Sequence, residues 1–205
     1  MRRIKNHKGF TLIELAIVLV IIGIIIGTVV KGQDLINSAR TKQFINKVRA
    51  WELAQWNHLD RKGRFAGANF GGLIGSRSVK DDLLNANFIN PPYEGSSNNA
   101  ENRITVGPYV FYVFFGNDNT RNFMSICYSK PDCSEAFNDE VIIFAEAFDI
   151  SIDGVLDGER GRVIGSNGGL SSIPEEGSWD NSFQPTPTAW TSSPKKIVYY
   201  FDSKK

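Results

Sequence analysis

Two hydrophobic patterns follow one another in the N-terminal part of the chain. From Phe10 to Val30 the residues are apolar apart from a few small ones and a single charged one, Glu14. These 21 residues would form about 31 Å of helix at about 1.5 Å per residue, which matches the thickness of a bilayer's hydrocarbon core. Residues 10–30 are therefore predicted to form a transmembrane helix.

After Val30, apolar residues recur at offsets of three and four, with charged residues between them. This spacing is typical of an amphipathic helix that lies with one face on a core. The apolar positions are Leu35, Ile36, Ala39, Phe44, Ile45, Val48, Trp51, Leu53, Ala54 and Leu59. Gly63 is a suitable helix C-cap, so residues 31–62 are predicted to continue the first helix into a globular head, with Trp51 in the core.

The remaining residues, 63–205, are enough for one small domain with its own core. A short helix is predicted near residues 78–87, with Ser78 as its cap. Runs of β-branched and aromatic residues at 109–115 and 123–128 flank a Gly-Asn-Asp-Asn turn, which predicts a β-hairpin. Residues 197–201 resemble a closing strand.

One segment of the head, residues 139–150, fits a strand by residue type and a helix by length. The helix is favoured, with Asn138 as its cap. The predicted fold class is therefore α+β, in which the long N-terminal helix packs on a small antiparallel β-sheet of at least three strands. One face of this sheet is expected to lie on the helix, and the other to turn outward.

The charges of the N-terminal leader indicate how the predicted span is oriented in the membrane. The leader, residues 1–9, carries Arg2, Arg3, Lys5 and Lys8 and no acidic residue. Basic residues before a span favour a cytoplasmic N-terminus, with the rest of the chain translocated. An ordinary secretory signal fits less well, because the apolar run is long and no A-x-A-like site follows it.

The rest of the chain gives no indication of nucleic-acid binding. Without the four leader cations, the 23 basic residues fall to 19 against 22 acidic ones, a net charge of −3. Binding to nucleic acid would require a basic patch, which this balance does not favour.

A short motif joins the leader to the apolar run: Lys8-Gly9-Phe10-Thr11-Leu12-Ile13-Glu14-Leu15. It resembles the processing site of type IV prepilins and type II secretion pseudopilins, and the resemblance covers about the first 60 residues. It implies a pilin-like fold, cleavage after Gly9 by a membrane-embedded prepilin peptidase, and N-methylation of Phe10. It also implies assembly with other pilin or pseudopilin subunits.

Glu14 needs an explanation of its own, because a carboxylate inside an apolar span costs about 2.5 to 3.5 kcal/mol on insertion scales. The resemblance implies a partner, the amine of Phe10 on a neighbouring subunit, and this pair would set the axial register of a filament. Alternatively, Glu14 lies in the first turn of its own helix, where the helix dipole and its own chain's amine favour a negative charge. Both roles can hold together.

Two further sets of residues in the head could carry chemistry. Cys127 and Cys133 are predicted to form a disulfide, because a translocated chain meets an oxidising compartment. Their C-x5-C spacing does not favour a metal or redox site. Pilins often carry a disulfide in the later part of the head, so the resemblance supports this pairing.

Alternating oxygen-bearing residues and a glycine turn begin at Asp149 and resemble the start of an EF-hand calcium loop. The candidate calcium ligands are Asp149, Ser151, Asp153, Asp157 and Glu159. The twelfth position is Arg160 where an EF-hand has Glu, so an ordinary Asp/Gly turn stays the alternative. No cofactor other than calcium is indicated.

The sequence shows no catalytic arrangement, so a non-enzymatic role is expected. The predicted function is that of a structural subunit of a type IV pilus-like filament. The alternatives are a pseudopilin of a type II secretion system and an uncleaved, membrane-anchored periplasmic binding module. The expected location is the cytoplasmic membrane, crossed once with the head outside the cytoplasm, and then the pilus or a periplasmic pseudopilus.

Overall fold

A computed structural model of the chain describes residues 10–68, 72–75, 77–85, 92–95, 101–167 and 185–202. The chain divides into two compact units, Met1–Ala39 and Arg40–Lys205. The first contains the apolar part of the long helix. The second contains the rest of that helix together with the head.

The long helix, α1, is a single element of 51 residues, Leu12–Lys62. It ends where the sequence predicted, because Gly63 adopts a left-handed conformation with φ of 72° and donates its N–H to the carbonyl of Leu59 at 2.8 Å. Glycine adopts this conformation without a steric penalty, which makes it a good C-cap.

Within the second unit, α1 contributes one stripe of side chains to the core. Phe44, Val48 and Trp51 are at most 1 % exposed, and Ala54 is also buried. The prediction for Trp51 is confirmed. Leu53 was expected on the same apolar face, but it is 59 % exposed, because the buried stripe follows the i, i+3, i+4 positions and leaves it outside.

The head contains two more helices and a six-stranded sheet. The helices are α2, Val79–Asn85, and α3, Ile142–Asp153. The strands are β1 Arg103–Val106, β2 Tyr109–Asn117, β3 Asn122–Tyr128, β4 Val163–Ser166, β5 Pro187–Thr188 and β6 Lys196–Tyr199. Their order in the sheet is β1-β2-β3-β6-β4-β5, and every neighbouring pair is antiparallel.

The predicted elements are present in the head. The hairpin is formed by β2 and β3, and α2 begins after Ser78, whose hydroxyl accepts the N–H of Asp81 at 3.1 Å. The segment 139–150 is a helix, as favoured, but it begins later than expected. The Asn138 side chain accepts the N–H groups of Glu140 and Val141, which forms a turn ahead of the helix instead of its cap.

Both faces of the sheet are covered with apolar residues. One face packs on α1 and α3, with Phe111, Val113 and Ile126 among its buried residues. The other face was expected to turn outward, but it contains a second cluster: Phe114, Phe123, Cys127, Cys133, Ile164, Val198 and Tyr200. This cluster is closed at one side by Arg121, which lies over the Tyr200 ring at 3.7 Å.

Candidate functional site

The apolar first part of α1 is the most unusual surface of the molecule. Its large apolar side chains from Leu12 to Val30 are 45–89 % exposed. Soluble helices bury one apolar face, whereas this helix is apolar all round. In the part of the chain that the structure describes, α1 is the one helix long and apolar enough to cross a membrane.

The hydroxyl of Thr28 fits the same environment. It donates a hydrogen bond to the carbonyl of Ile24 at 2.9 Å, within its own helix. A polar group in hydrocarbon must be satisfied internally, because no water is available there. Apart from Glu14, the polar side chains of the run therefore present little obstacle to insertion.

At the start of the helix, Glu14 and Thr11 are hydrogen-bonded to each other. The Glu14 carboxylate accepts the Thr11 N–H and the Thr11 hydroxyl through the same oxygen, Oε2, at 2.8 Å each. The Thr11 hydroxyl oxygen accepts the N–H of Glu14 at 3.3 Å. This reciprocal pair is a capping box, with Thr11 at the N-cap and Glu14 three residues later.

The cap gives Glu14 a role within its own chain, in agreement with the first-turn alternative for this residue. Thr11 was not predicted as a functional residue, although the Thr-x-x-Glu spacing ahead of an apolar run was visible in the sequence. The pairing of Glu14 with Phe10 of a neighbouring subunit stays a prediction.

The predicted processing residues lie directly before this cap. Gly9 falls outside the described residues, and Phe10 is 90 % exposed. Cleavage after Gly9 would create a new amine at Phe10, one residue from the capping box. Cleavage and methylation themselves stay predictions.

In the head, the predicted disulfide is present between Cys127 and Cys133, with their Cα atoms 5.0 Å apart. Cys127 lies near the end of β3, opposite Tyr112 of β2 and Lys196 of β6. The disulfide ties the segment after β3 to the second apolar cluster of the sheet.

The acidic stretch that begins at Asp149 has a different structure from an EF-hand loop. Asp149, Ser151 and Asp153 belong to α3, because the helix continues to Asp153. The Ser151 hydroxyl donates to the carbonyl of Phe148 at 2.8 Å. The first three candidate ligands thus lie on a helix, and the prediction that they form a loop is wrong.

The carboxylates of this stretch accept backbone N–H groups. Asp149 Oδ2 accepts the Asp157 N–H at 2.9 Å and the indole N–H of Trp190 at 2.8 Å. Asp153 Oδ2 accepts the N–H groups of Arg162 and Val163 at 2.8 and 2.9 Å. These bonds join the end of α3 to β4 and to the segment before β6.

The pKa of the Asp149 carboxyl is raised to about 6, mainly because burial disfavours its charged form. The hydrogen bonds from Trp190 and Asp157 oppose this increase, and the charges of Asp153 and Asp157 add to it.

Asp157 Oδ1 accepts the N–H of Glu159 at 3.1 Å, so this candidate ligand also closes a turn. No group of three or more His, Cys, Asp or Glu side chains is arranged to hold a metal ion among the described residues. Calcium binding by the head stays a hypothesis from the sequence, which the hydrogen bonds of these carboxylates do not favour.

Comparison with known proteins bears on the N-terminal segment. Residues 4–30 match the family model described as the prokaryotic N-terminal methylation motif. This motif is the signature of the type IV pilin and pseudopilin family. No curated protein matches the chain, and no solved structure matches it.

The motif and the α+β architecture together support a type IV pilin-like or pseudopilin protein. The apolar helix with its motif fits single-pass anchoring in the inner membrane. The motif also implies processing by a prepilin peptidase and assembly with other pilin subunits.

Proposed function

We propose that the chain is a structural subunit of a type IV pilus-like filament, cleaved after Gly9, methylated at Phe10 and assembled through α1. The observation that carries this proposal is the all-round apolar and exposed surface from Leu12 to Val30, directly behind the methylation motif. Such a surface is stable in lipid or against other helices of the same kind. Transfer from the membrane to a helix bundle would therefore keep it out of water throughout assembly.

The proposed orientation places the head outside the cytoplasm. The four basic residues of the leader favour retention of the N-terminus on the cytoplasmic side. The disulfide between Cys127 and Cys133 is suited to an oxidising compartment outside that membrane.

The proposed register of the filament depends on the charge of Glu14. Two opposite charges about 4 Å apart gain about 4 kcal/mol at an effective dielectric constant of about 20. This gain is large enough to offset the cost of about 2.5 to 3.5 kcal/mol for placing a carboxylate in an apolar span. A subunit shifted along the filament axis would lose the pair and retain the cost.

Two substitutions separate this charge from the helix cap. Glu14→Gln keeps a capping box, because glutamine also accepts the N-cap N–H, but it removes the charge. Thr11→Val removes the cap hydroxyl and leaves the charge. We expect Glu14→Gln to be inserted and cleaved but to form little polymer, whereas Thr11→Val should still assemble.

The matched control is Asp34→Asn, which removes the next carboxylate along the same helix and should assemble normally. The assay is electron microscopy and quantification of fibres from cells that also produce a prepilin peptidase. Normal polymer from Glu14→Gln would exclude charge pairing as the source of register.

Processing is tested by mass spectrometry of the N-terminus. The expected mature chain begins with N-methylated Phe10, and Gly9→Val should accumulate as uncleaved precursor in the membrane. Intact Met1 in the wild-type protein would contradict the proposal and favour a permanently anchored module. Fibres on the cell surface are expected, and polymers confined to the periplasm would favour the pseudopilin alternative.

A further inference from the structure

A groove of about 500 Å³ opens on the head between α1, the end of α3 and the sheet. Its apolar lining comes from Leu53 and Trp56 of α1 and Ile152 of α3, together with the ring of Tyr199 from β6. Arg49 and Arg162 supply positive charge at the same groove. Leu53 and Trp56 remain 59 % and 39 % exposed, although they lie beside the buried stripe of α1.

The groove has a fixed shape on its sheet side. Arg162 donates to the hydroxyl of Tyr199 at 3.1 Å and to the carbonyls of Tyr200 and Phe201 at 3.2 and 3.3 Å. These contacts hold the Tyr199 ring in place as one wall. A preformed wall lowers the ordering cost of binding.

A second exposed apolar feature follows α3. Val155 and Leu156 are 65 % and 50 % exposed and stand at the tip of the turn after the helix. Gly154 makes this turn in a left-handed conformation, with φ of 75°, and Asp157 is held by the Asp149 carboxylate. Two adjacent large apolar side chains are thus presented to solvent by a turn that is bonded at both of its ends.

The charges beside the two features are complementary. The turn is flanked by Asp153, Asp157 and Glu159 against one cation, Arg160. The groove carries Arg49 and Arg162 against one carboxylate, Glu52. Opposite potentials across an interface favour docking and fix its orientation.

We propose that the Val155–Leu156 turn of one copy docks into the Leu53–Trp56 groove of a second copy, in a head-to-tail contact between neighbouring heads. This inference rests on the proposed filament function and deepens it by naming the surfaces through which heads meet. A contact between two different surfaces leaves one of each surface free on every pair, so it can repeat along an open polymer. It also explains why both apolar surfaces are exposed in a single chain.

The test is disulfide cross-linking in the full-length, processed protein. The two native cysteines are bonded to each other, so an introduced cysteine is the only free thiol. Leu53→Cys and Leu156→Cys chains are produced together in the same cells and oxidised, and the product is followed on non-reducing gels. The matched control pairs Leu53→Cys with Asp139→Cys, which is also exposed but lies at the other end of α3.

We expect a covalent dimer when the Leu53→Cys and Leu156→Cys chains are produced together, and none when Leu53→Cys is combined with Asp139→Cys. The double variant, with both cysteines in one chain, should give a ladder of multimers. A single dimer band from the double variant would overturn the head-to-tail arrangement, because a symmetric pair closes on itself.

A charge at the tip of the turn gives an independent measurement. Leu156→Lys should reduce polymer yield at least about tenfold, because docking would bring a third positive charge against Arg49 and Arg162 in the groove. Its melting temperature should equal that of the wild type, since the side chain is half exposed.

If the wild type forms fibres but Leu53→Cys and Leu156→Cys chains do not cross-link, this inference is overturned and the proposed function is left intact. Absence of any wild-type polymer would instead refute the proposed function.

Discussion

The connection between α1 and α2 depends on Asp82, and removal of its charge should cost the head a measurable part of its stability. Arg64 donates two hydrogen bonds to the Asp82 carboxylate, from Nη1 to Oδ2 at 2.5 Å and from Nη2 to Oδ1 at 2.9 Å. The N–H of Gly67 donates to Oδ2 at 2.9 Å. The side chains of Arg64 and Asp82 are only 18 % and 10 % exposed.

The magnitude follows from the pKa of Asp82. Partial burial alone would raise this pKa, but the hydrogen bonds from Arg64 and Gly67 and the charges of Arg64 and Arg77 lower it from 3.8 to about 2. This difference corresponds to about 2 kcal/mol of stability for the ionised form. Asp82→Asn should therefore lower the free energy of unfolding by about 2 kcal/mol at neutral pH, with solvent screening acting to reduce this value.

The sign of the pH dependence is determined by the lowered pKa. The contribution of Asp82 is complete above the unfolded-state value of 3.8 and disappears as the pH falls through about 2. The difference between Asp82→Asn and the wild type should shrink over this range.

The assay is urea unfolding of the full chain in detergent, followed by tryptophan fluorescence, since all four tryptophans lie beyond residue 50. The control is Asp81→Asn, one residue away on the exposed side of α2. Equal stabilities of the two variants at neutral pH would refute the reasoning.

Three other outcomes are expected of the head. Asp149→Asn should flatten the pH dependence of the melting temperature. The pKa of Asp149 is raised from 3.8 to about 6, so the wild type gains stability as the pH falls from about 7 to about 4. An unchanged pH profile in the variant would show that Asp149 does not cause this gain. Replacement of Cys127 and Cys133 by alanine should lower the free energy of unfolding by about 2 kcal/mol, a modest loss because the disulfide closes only a short loop. Equal urea midpoints for this variant and the wild type would contradict a stabilising role of the disulfide. Since Asp149 and Asp153 accept backbone N–H groups, calcium should leave the melting temperature equal to that in a chelator, and a rise with calcium would restore the metal-site hypothesis.

Local signals in the sequence predicted several elements of this protein. A transmembrane helix depends only on a continuous apolar run, which is why residues 10–30 could be recognised without a fold. Gly63 marked the end of α1, because its left-handed conformation suits few residues other than glycine. The Gly-Asn-Asp-Asn segment marked the hairpin, although its turn lies slightly later, at residues 118–121, with Asn119 in a left-handed conformation. The Thr11–Glu14 capping box was equally local, and only its three-residue spacing had to be noticed.

The short strands and the buried polar contacts of the head depended on residues that are distant in the chain. Strands β4 and β5 have four and two residues, too few to show a period, and they form because β6 lies beside β4. The sequence could not show that Asp149 meets Trp190, because 40 residues separate two side chains that only the folded sheet and α3 bring together.

The sequence by itself thus determined that the chain has a helix apolar enough to cross a membrane and where this helix begins and ends, since these features depend on neighbouring residues. The tertiary structure alone decided which carboxylates are buried and which apolar side chains, such as Leu53 and Leu156, remain exposed. Burial is set by whatever packs above a residue, and the linear pattern does not contain that information.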